Sequence, residues 1–306
     1  MPANIASPPQ RAAVVINPAK VAAGADLRAA LIRLCDTQGW AEPLWLETTV
    51  EDPGTGQARQ AVEAGVDVVI AAGGDGTVRC VAEVLAGTDT PLGLVPLGTG
   101  NLLARNLGVD VSDPVSAAYD VLNGTERTVD VVRCSFDHSE DENVFLVMAG
   151  VGYDAAIMAD TVDVLKDRMG WLAYVEAGIR KLPGKPVRAT VRMEGKHPVK
   201  RRIRSVMIGN CGRLMGGIEI FPEAKIDDGL LDLLVLAPRG RFGWLGVIAG
   251  IFGRRKNKRQ SAEYFQGKSA EVTLEHAQEF QLDGDHVGAG KHMAIRLEPG
   301  ALRIRM

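Results

Sequence analysis

Cysteine and histidine are scarce in this 306-residue sequence, with four and five respectively. Cys35, Cys80, Cys134 and Cys211 lie far apart and share no CxxC or Cys/His spacing. That leaves no disulfide framework, argues against zinc, and makes a reducing compartment the expected home. His138, His197, His276, His286 and His292 lack ligand spacing and are expected at the surface. His286 alone, beside Asp285, is placed to touch a substrate. A long uncharged apolar helix is also missing. The most membrane-like stretch, Phe242–Gly253, has twelve uncharged residues broken by glycine, against the roughly 20 that a spanning helix needs. Met1–Gln10 carries no Lys or Arg and has two adjacent prolines, the reading of a short disordered tail rather than an export signal. A cytoplasmic protein is expected, touching at most a membrane surface. An excess of basic charge is absent too: 35 Lys and Arg stand against 38 Asp and Glu, which gives no global sign of a nucleic-acid binder.

What is present is an ordinary globular composition, 46% hydrophobic and 24% charged, on a chain about twice the usual domain length. The charge is uneven. Residues 1–133 hold 9 basic against 16 acidic side chains, and residues 134–306 hold 26 against 22. Two parts with different partners are expected. The front part alternates short apolar strands with helices. Strands are read at Ala12–Ile16, Leu44–Glu47, Val66–Ala72 and Leu92–Val95. Helices are read at Asp26–Gln38, Gln57–Ala64, Val78–Leu85, Asn101–Leu107 and Asp113–Leu122. Such alternation implies right-handed βαβ units and a doubly wound, Rossmann-like α/β sheet. After residue 133 strands dominate: Thr128–Arg133, Phe145–Ala149, Ala189–Met193, Ser205–Ile208, Leu231–Leu236, Glu271–Glu275, Glu279–Leu282 and Ala294–Leu297. Helical patches around Asp154–Leu182 and Gly240–Phe252 interrupt them. The back part is therefore read as mainly antiparallel β. Expected limits are a tail at 1–11, an α/β domain at 12–133, a β domain at 134–290, and a final strand at 291–306 that can return to the first domain.

The strongest chemical signal is Gly73-Gly74-Asp75-Gly76-Thr77, at the end of one buried strand and ahead of a helix. Ligands of open α/β sheets bind outside the carboxyl ends of the strands. Glycines let backbone N–H groups turn toward an anion, and a helix N-terminus adds positive dipole. Pro96-Leu97-Gly98-Thr99-Gly100-Asn101 stands in the same context after the next strand, and Asn17-Pro18-Ala19-Lys20 after the first. Each loop alone reads equally well as tight packing; two at neighbouring strand ends point to a phosphate cradle. Walker A is absent, and Leu103 stands where the dinucleotide fingerprint needs a small residue, so a redox cofactor is disfavoured.

The combination of Asn17-Pro18, the 73–77 loop, Gly98-Thr99-Gly100-Asn101, Phe221–Asp232 and Asp283-Gly284-Asp285 resembles the diacylglycerol kinase catalytic-domain family, above all its soluble bacterial lipid kinases, relatives of sphingosine kinases. The likeness runs from about Ala12 to Met306. It implies an NAD kinase-like front domain that binds ATP, a β-sandwich second domain, and a lipid, such as diacylglycerol, entering between them. Carried over by position, Asn17, Pro18, Ala19, Lys20, Thr48 or Thr49, Gly73, Gly74, Asp75, Gly76, Thr77, Val78, Arg79, Gly98, Thr99, Gly100 and Asn101 would form the ATP site. Asp75 would help to organise Mg²⁺. Asp285 would be the general base for the lipid hydroxyl, at a position where the family more often has Glu. The Asp-Gly pair before it is also a hairpin signal. Lys225, Asp228 and Leu230 would hold a second, structural Mg²⁺ through one carboxylate and two backbone carbonyls, a ligand set suited to that ion; an ordinary Asp-Asp-Gly turn is the alternative. Two departures stand out: Ala19-Lys20 where small polar residues are usual, and Leu102 where the family has Asp.

Arg254–Arg259 follows the apolar stretch Phe242–Phe252, a pairing suited to peripheral contact with anionic lipid at the inner membrane surface. Internal packing of Trp244, Leu245, Ile248 and Ile251 beside a solvated loop is the alternative. Lys200–Arg204 reads as a strand edge protected by charge. Exposed strand edges in the second domain leave room for a homodimer. The resulting expectation is an ATP- and Mg²⁺-dependent lipid kinase. An NAD kinase-like or other small-molecule kinase shares the Gly-Gly-Asp-Gly loop, but no Asn-Glu pair follows the second loop. A non-catalytic, nucleotide-gated lipid-binding protein is the rival of another class.

Overall fold

The computed structural model describes residues 8–21, 26–152, 186–214, 219–238, 243 and 262–306. The chain divides into two compact units, residues 1–129 with 301–306, and residues 130–300.

The first unit contains β1 (Ala12–Ile16), α1 (Leu27–Thr37), β2 (Leu44–Glu47), α2 (Thr55–Glu63), β3 (Val68–Gly73), α3 (Asp75–Leu85), β4 (Leu92–Pro96), α4 (Leu102–Leu107) and α5 (Pro114–Asn123). β1 pairs in parallel with both β2 and β3, and β3 with β4, giving the order β2-β1-β3-β4. Every residue of β1, β3 and β4 is buried, as expected of strands covered on both faces. Asp26 caps α1 by accepting from the Ala29 N–H at 2.9 Å. Asp113 caps α5 through the Val115 and Ser116 N–H groups, with Pro114 preset for the first turn. Val14, Ile16, Ile70, Leu31 and Val121 belong to one core formed by sheet and helices.

The second unit is built from β5 (Glu126–Phe136, which begins in the first unit), β6 (Asn143–Phe145), β7 (Met148–Gly152), β8 (Val187–Met193), β9 (Val199–Ile203), β10 (Ser205–Gly209), β11 (Leu231–Leu236), β12 (Ala262–Gly267), β13 (Ser269–Leu282) and β14 (Asp285–Arg305). The strands run β12-β11-β10-β7-β13, all antiparallel, and β13 pairs along its length with β14. Its first half also pairs with β8, which pairs with β9. One core lies inside, joining Val151, Val191, Ile208, Leu233, Val272, Phe280 and Ile295. Beyond residue 300 the chain belongs to the first unit, where Ile304 lies parallel beside Leu92 of β4. A doubly wound α/β unit followed by an antiparallel β-sandwich is the architecture read from the sequence.

Several local readings need correction. The strands expected at Glu271–Glu275 and Glu279–Leu282 are one strand, β13, whose pairing with β14 loses register between Thr273 and Gln278. The segment Phe145–Ala149 is divided between β6 and β7. β12 is absent from the sequence reading; its sequence, AEYFQG, has no β-branched residue and no strict alternation of burial. α3 starts at Asp75, three residues before the expected Val78, because the Val78 N–H already bonds to the Gly74 carbonyl at 3.1 Å. Not all the histidines are at the surface: His292 is half-buried and stacks on His138 with ring centroids 3.9 Å apart. None of the four cysteines, all among the described residues, is in a disulfide. Among the described residues no helix is long and apolar enough to cross a membrane. The patches at Asp154–Leu182 and Gly240–Phe252 and the run Arg254–Arg259 lie outside the described residues, apart from Gly243.

Candidate active site

The parallel order of the first unit brings the carboxyl ends of β1, β2, β3 and β4 to one edge. Backbone bonds knit that edge together. The Asn17 N–H donates to the Ala72 carbonyl (3.0 Å), Thr48 to Ile16 (2.8 Å) and Leu97 to Gly73 (2.9 Å). Asn17 closes the turn after β1 by accepting from the Ala19 N–H at 3.1 Å, and Pro18–Lys20 form a single 3-10 turn that leaves Lys20 exposed. Thr48 is buried, whereas Thr49 is exposed and its hydroxyl accepts from the Asp52 N–H at 3.1 Å.

The two glycine loops touch each other. A Cβ on Gly98 would sit 2.7 Å from the Gly74 Cα, so only glycine allows these backbones to pass so closely. Asp75, in the first turn of α3, accepts from the Leu102 N–H at 2.6 Å and ties the two loops across 27 residues of sequence. Asn101 has left-handed backbone (φ 47°), and its side chain both accepts from the Gly98 N–H (3.0 Å) and donates to the Gly98 carbonyl (2.7 Å). Leu102, the departure from the family pattern, thus contributes its backbone N–H to Asp75. Thr77 and Val78 turn their side chains inward, with Thr77 packed over Gly73. Thr99 is exposed at the tip of the second loop, whose Gly100 carbonyl accepts from Arg105 Nε at 2.8 Å. The result is an edge with two glycine loops in contact and a helix N-terminus beside them, chemically suited to an anion.

In the second unit, Asp283 and Gly284 are the two turn residues between β13 and β14, both with positive φ (49° and 94°). Leu282 and Asp285 face each other across that turn, so Asp285 opens β14 and is exposed. The hairpin turn and the carboxylate after it therefore coexist. Asp283 is the buried member of the pair. Its Oδ1 accepts from the Val147 and Met148 N–H groups and its Oδ2 from Leu146, each at 2.9 Å.

Lys225, Asp228 and Leu230 lie on one loop, where Asp228 accepts from the Leu230 N–H at 3.0 Å. Burial pushes the Asp228 carboxyl up; the Leu230 N–H opposes this, while the nearby Asp130 and Asp227 charges add to it. Asp232, six-hundredths exposed, is pushed up to about 6 by burial, with Gln266 opposing through a 3.0 Å bond and Asp228 and Glu223 reinforcing the rise. Asp232 Oδ2 has no hydrogen-bond partner among the described residues, and a cation would relieve the crowded like charge; oxygen donors of this kind suit a hard ion. Among the described residues no group of three or more His, Cys, Asp or Glu side chains is arranged to hold a metal. An ion here would rely on backbone carbonyls and water beside Asp228.

Sequence reasoning missed the residue that supports this loop. Asp130 is buried and accepts from Gly229 and Gly300 N–H groups, both at 2.7 Å, while its own N–H donates to the Ile226 carbonyl at 2.8 Å. Asn210, fully buried, donates to the Asp130 and Leu146 carbonyls at 3.0 Å. No periodicity could have found them, since their partners lie 64 to 170 residues away.

Comparison with known proteins agrees with this fold. The chain matches the diacylglycerol kinase catalytic domain over residues 11–134 and the YegS C-terminal NAD kinase beta sandwich-like domain over residues 147–306. It is 33% identical over 252 residues to a probable lipid kinase YegS-like protein of Klebsiella pneumoniae (strain 342), covering 81% of this chain and 80% of the relative. A putative diacylglycerol kinase from Bacillus anthracis has the same fold, with a TM-score of 0.72 at 22% identity over 97% of each chain. An NAD kinase from Archaeoglobus fulgidus, solved in complex with ATP, shares the fold more distantly, with a TM-score of 0.53 at 14% identity over 97% of this chain and 94% of its own. With both domains matched in order and a relative this similar over four-fifths of its length, the chain belongs to the diacylglycerol kinase and YegS-type lipid kinase family.

Proposed function

We propose that this protein is an ATP- and Mg²⁺-dependent lipid kinase that transfers the γ-phosphate to the hydroxyl of diacylglycerol or a similar lipid. The observation that carries the reading is the joining of the two glycine loops by the Asp75–Leu102 bond and the Gly74–Gly98 approach, which makes one backbone-lined anion site from two strand ends. Phosphoryl transfer asks the protein chiefly to position the reactants and to offset charge on the phosphate oxygens.

On this reading the N–H groups of Gly74–Gly76 and of Thr99 and Gly100 face the phosphates, and Lys20, exposed in the turn after β1, adds a positive charge. Asn17, Thr48 or Thr49 and Arg79 complete the nucleotide site. Asp75 holds the second loop in place and stands near the phosphates. Mg²⁺, when bound, supplies charge neutralisation to the phosphate oxygens. Asp285 takes the proton of the lipid hydroxyl as its oxygen attacks the γ-phosphorus, the β–γ bridging bond breaks, and ADP leaves. Lys225, Asp228 and Leu230 hold the second ion, and Asp130 anchors that loop through Gly229. The lipid is met at the cytoplasmic face of the membrane, where the protein is peripheral.

The test is transfer from γ-labelled ATP with Mg²⁺ to lipids in mixed micelles, with NAD and fructose 6-phosphate as competing acceptors. Labelling of a lipid is expected, lowered at least 100-fold in Asp285→Asn with the KM for ATP unchanged. Labelling of NAD or the sugar phosphate instead would refute the reading.

A further inference from the structure

The hairpin that presents Asp285 is irregular in a way that none of the roles above uses. β13 and β14 pair Glu279 with Ala289 and Phe280 with Gly288, then Gln281 with His286 and Leu282 with Asp285. Between Phe280 and Gln281 the first strand advances by one residue while the second, from Gly288 back to His286, advances by two. Val287 is the extra residue, and it makes a β-bulge two positions from Asp285. Bulges bend the strand that carries them, and next to active sites they re-aim a side chain.

Both residues of the bulge are suited to it. Gly288 has a φ of 115°, in the half of backbone space that only glycine enters freely. A Cβ on Gly288 would meet nothing within 4 Å, so the backbone angle and not a lack of room requires glycine there. Val287 is half-buried and packs against the core of the second unit. Beyond the bulge the two residues that open β14 fall on opposite faces. Leu282 belongs to the core, and Asp285 stands opposite it at the exposed end of the strand. His286 stands opposite Gln281 on the other face, where its ring engages Glu279. Without the bulge, regular pairing onward from Phe280 and Gly288 would set Val287 opposite Gln281 and His286 opposite Leu282. Asp285 would then be drawn into the turn. A shift of one residue exchanges the faces of every side chain beyond it.

We infer that Gly288 is a positioning residue for phosphoryl transfer: the bulge that it permits brings Asp285, and not His286, to the place opposite Leu282 where the base is needed. The inference rests on the lipid-kinase reading with Asp285 as base. Gly288 touches no reactant; it acts through the register of β14. Aspartate is one methylene shorter than glutamate, so its side chain has less reach with which to make good a misplaced backbone. The strand must therefore set the carboxylate, and the bulge is the feature of the strand that does so.

The experiment measures transfer from γ-labelled ATP with Mg²⁺ to dioctanoylglycerol in mixed micelles. Gly288→Val forbids the left-handed angle and is expected to lower kcat about 100-fold with the KM for ATP unchanged, the scale of a small misplacement of a reacting group. Adding His286→Asp to that variant puts a carboxylate at the position that slips opposite Leu282, and kcat is expected to rise at least tenfold. Relief of strain cannot give that rescue, because the strained valine is still there. His286→Asp alone is expected to give no gain. Deleting Val287 together with Gly288→Val removes the extra residue, so regular pairing again sets Asp285 opposite Leu282, and kcat is expected within about fivefold of wild type. This last variant needs no left-handed residue, so it decides the matter even where Gly288→Val fails to fold. A kcat for Gly288→Val within about threefold of wild type, or a loss that persists in either second variant when its thermal midpoint shows it folded, would overturn the assignment of Gly288 alone. A wild-type protein that labels no lipid, or an Asp285→Asn variant as active as wild type, would overturn the reading on which it rests.

Discussion

Replacing Asp283 tests how the candidate hairpin is held. Its carboxylate collects three backbone N–H groups, two on Oδ1 and one on Oδ2, from residues 135 to 137 positions earlier in the chain. Asp283→Ala leaves all three without a partner, at about 1–3 kcal/mol each. Relief from burying a carboxylate, and water entering the vacated space, pull the sum toward its low end. The left-handed φ of 49° adds about 1 kcal/mol of strain for alanine. A loss of about 4 kcal/mol is expected. Asp283→Asn keeps one oxygen, which can serve the Val147 and Met148 N–H groups as Oδ1 does now, and asparagine tolerates the backbone angle. Only the Leu146 bond is lost, so about 1–2 kcal/mol is expected. Equilibrium urea unfolding followed by far-UV circular dichroism, which reports on the β unit, measures both. An alanine variant within about 1 kcal/mol of wild type, or an asparagine variant as damaging as alanine, would refute the assignment of the three bonds.

Two further outcomes are expected from other parts of the molecule. Gly98→Ala would place its Cβ 2.7 Å from the Gly74 Cα and 2.9 Å from Asn101 Oδ1, so the loops must separate. A rise of at least tenfold in the Kd for ATP, measured by calorimetry, is the predicted result, and unchanged binding would show that the loops do not form one site. His292 is held below its ordinary pKa by burial first and then by the His138 charge, with Arg192 acting the same way and Glu271 and Asp137 opposing. The unfolded chain therefore binds the proton more readily than the folded one, so this contribution to stability is complete above about pH 6.5 and is lost as pH falls below it. Urea midpoints taken from pH 7.5 down to pH 5 should fall less steeply in His292→Phe than in wild type; equal slopes would remove His292 as the cause.

Much of the fold and the front half of the site follows from local patterns. The buried runs of β1, β3 and β4 identify themselves by length and β-branched content, and parallel pairing of such strands forces glycine loops at their carboxyl ends onto one edge. Asp-Gly at 283–284 announces a two-residue turn because both positions take positive φ. The limits are equally physical. β13 reads as two strands because the break read at residues 276–278 overlaps the stretch between Thr273 and Gln278, where pairing with β14 loses register. β12 has no periodic signal, since its neighbour β11 and not its own composition holds it in the sheet.

The buried carboxylates mark the boundary most clearly. An acidic turn at residues 283–285, glycine loops at 73–77 and 98–101 and the succession of two domain types are all legible in the residues, because strand period, turn angle and helix capping act over short stretches. Which acid is buried and which is exposed depends instead on long-range strand pairing. Asp283 faces N–H groups more than 130 residues away and Asp130 meets Gly300 across 170, while Asp285, two positions from Asp283, faces solvent. A carboxylate's role depends on the donors that surround it, and those donors are brought there by strand pairing over the whole chain.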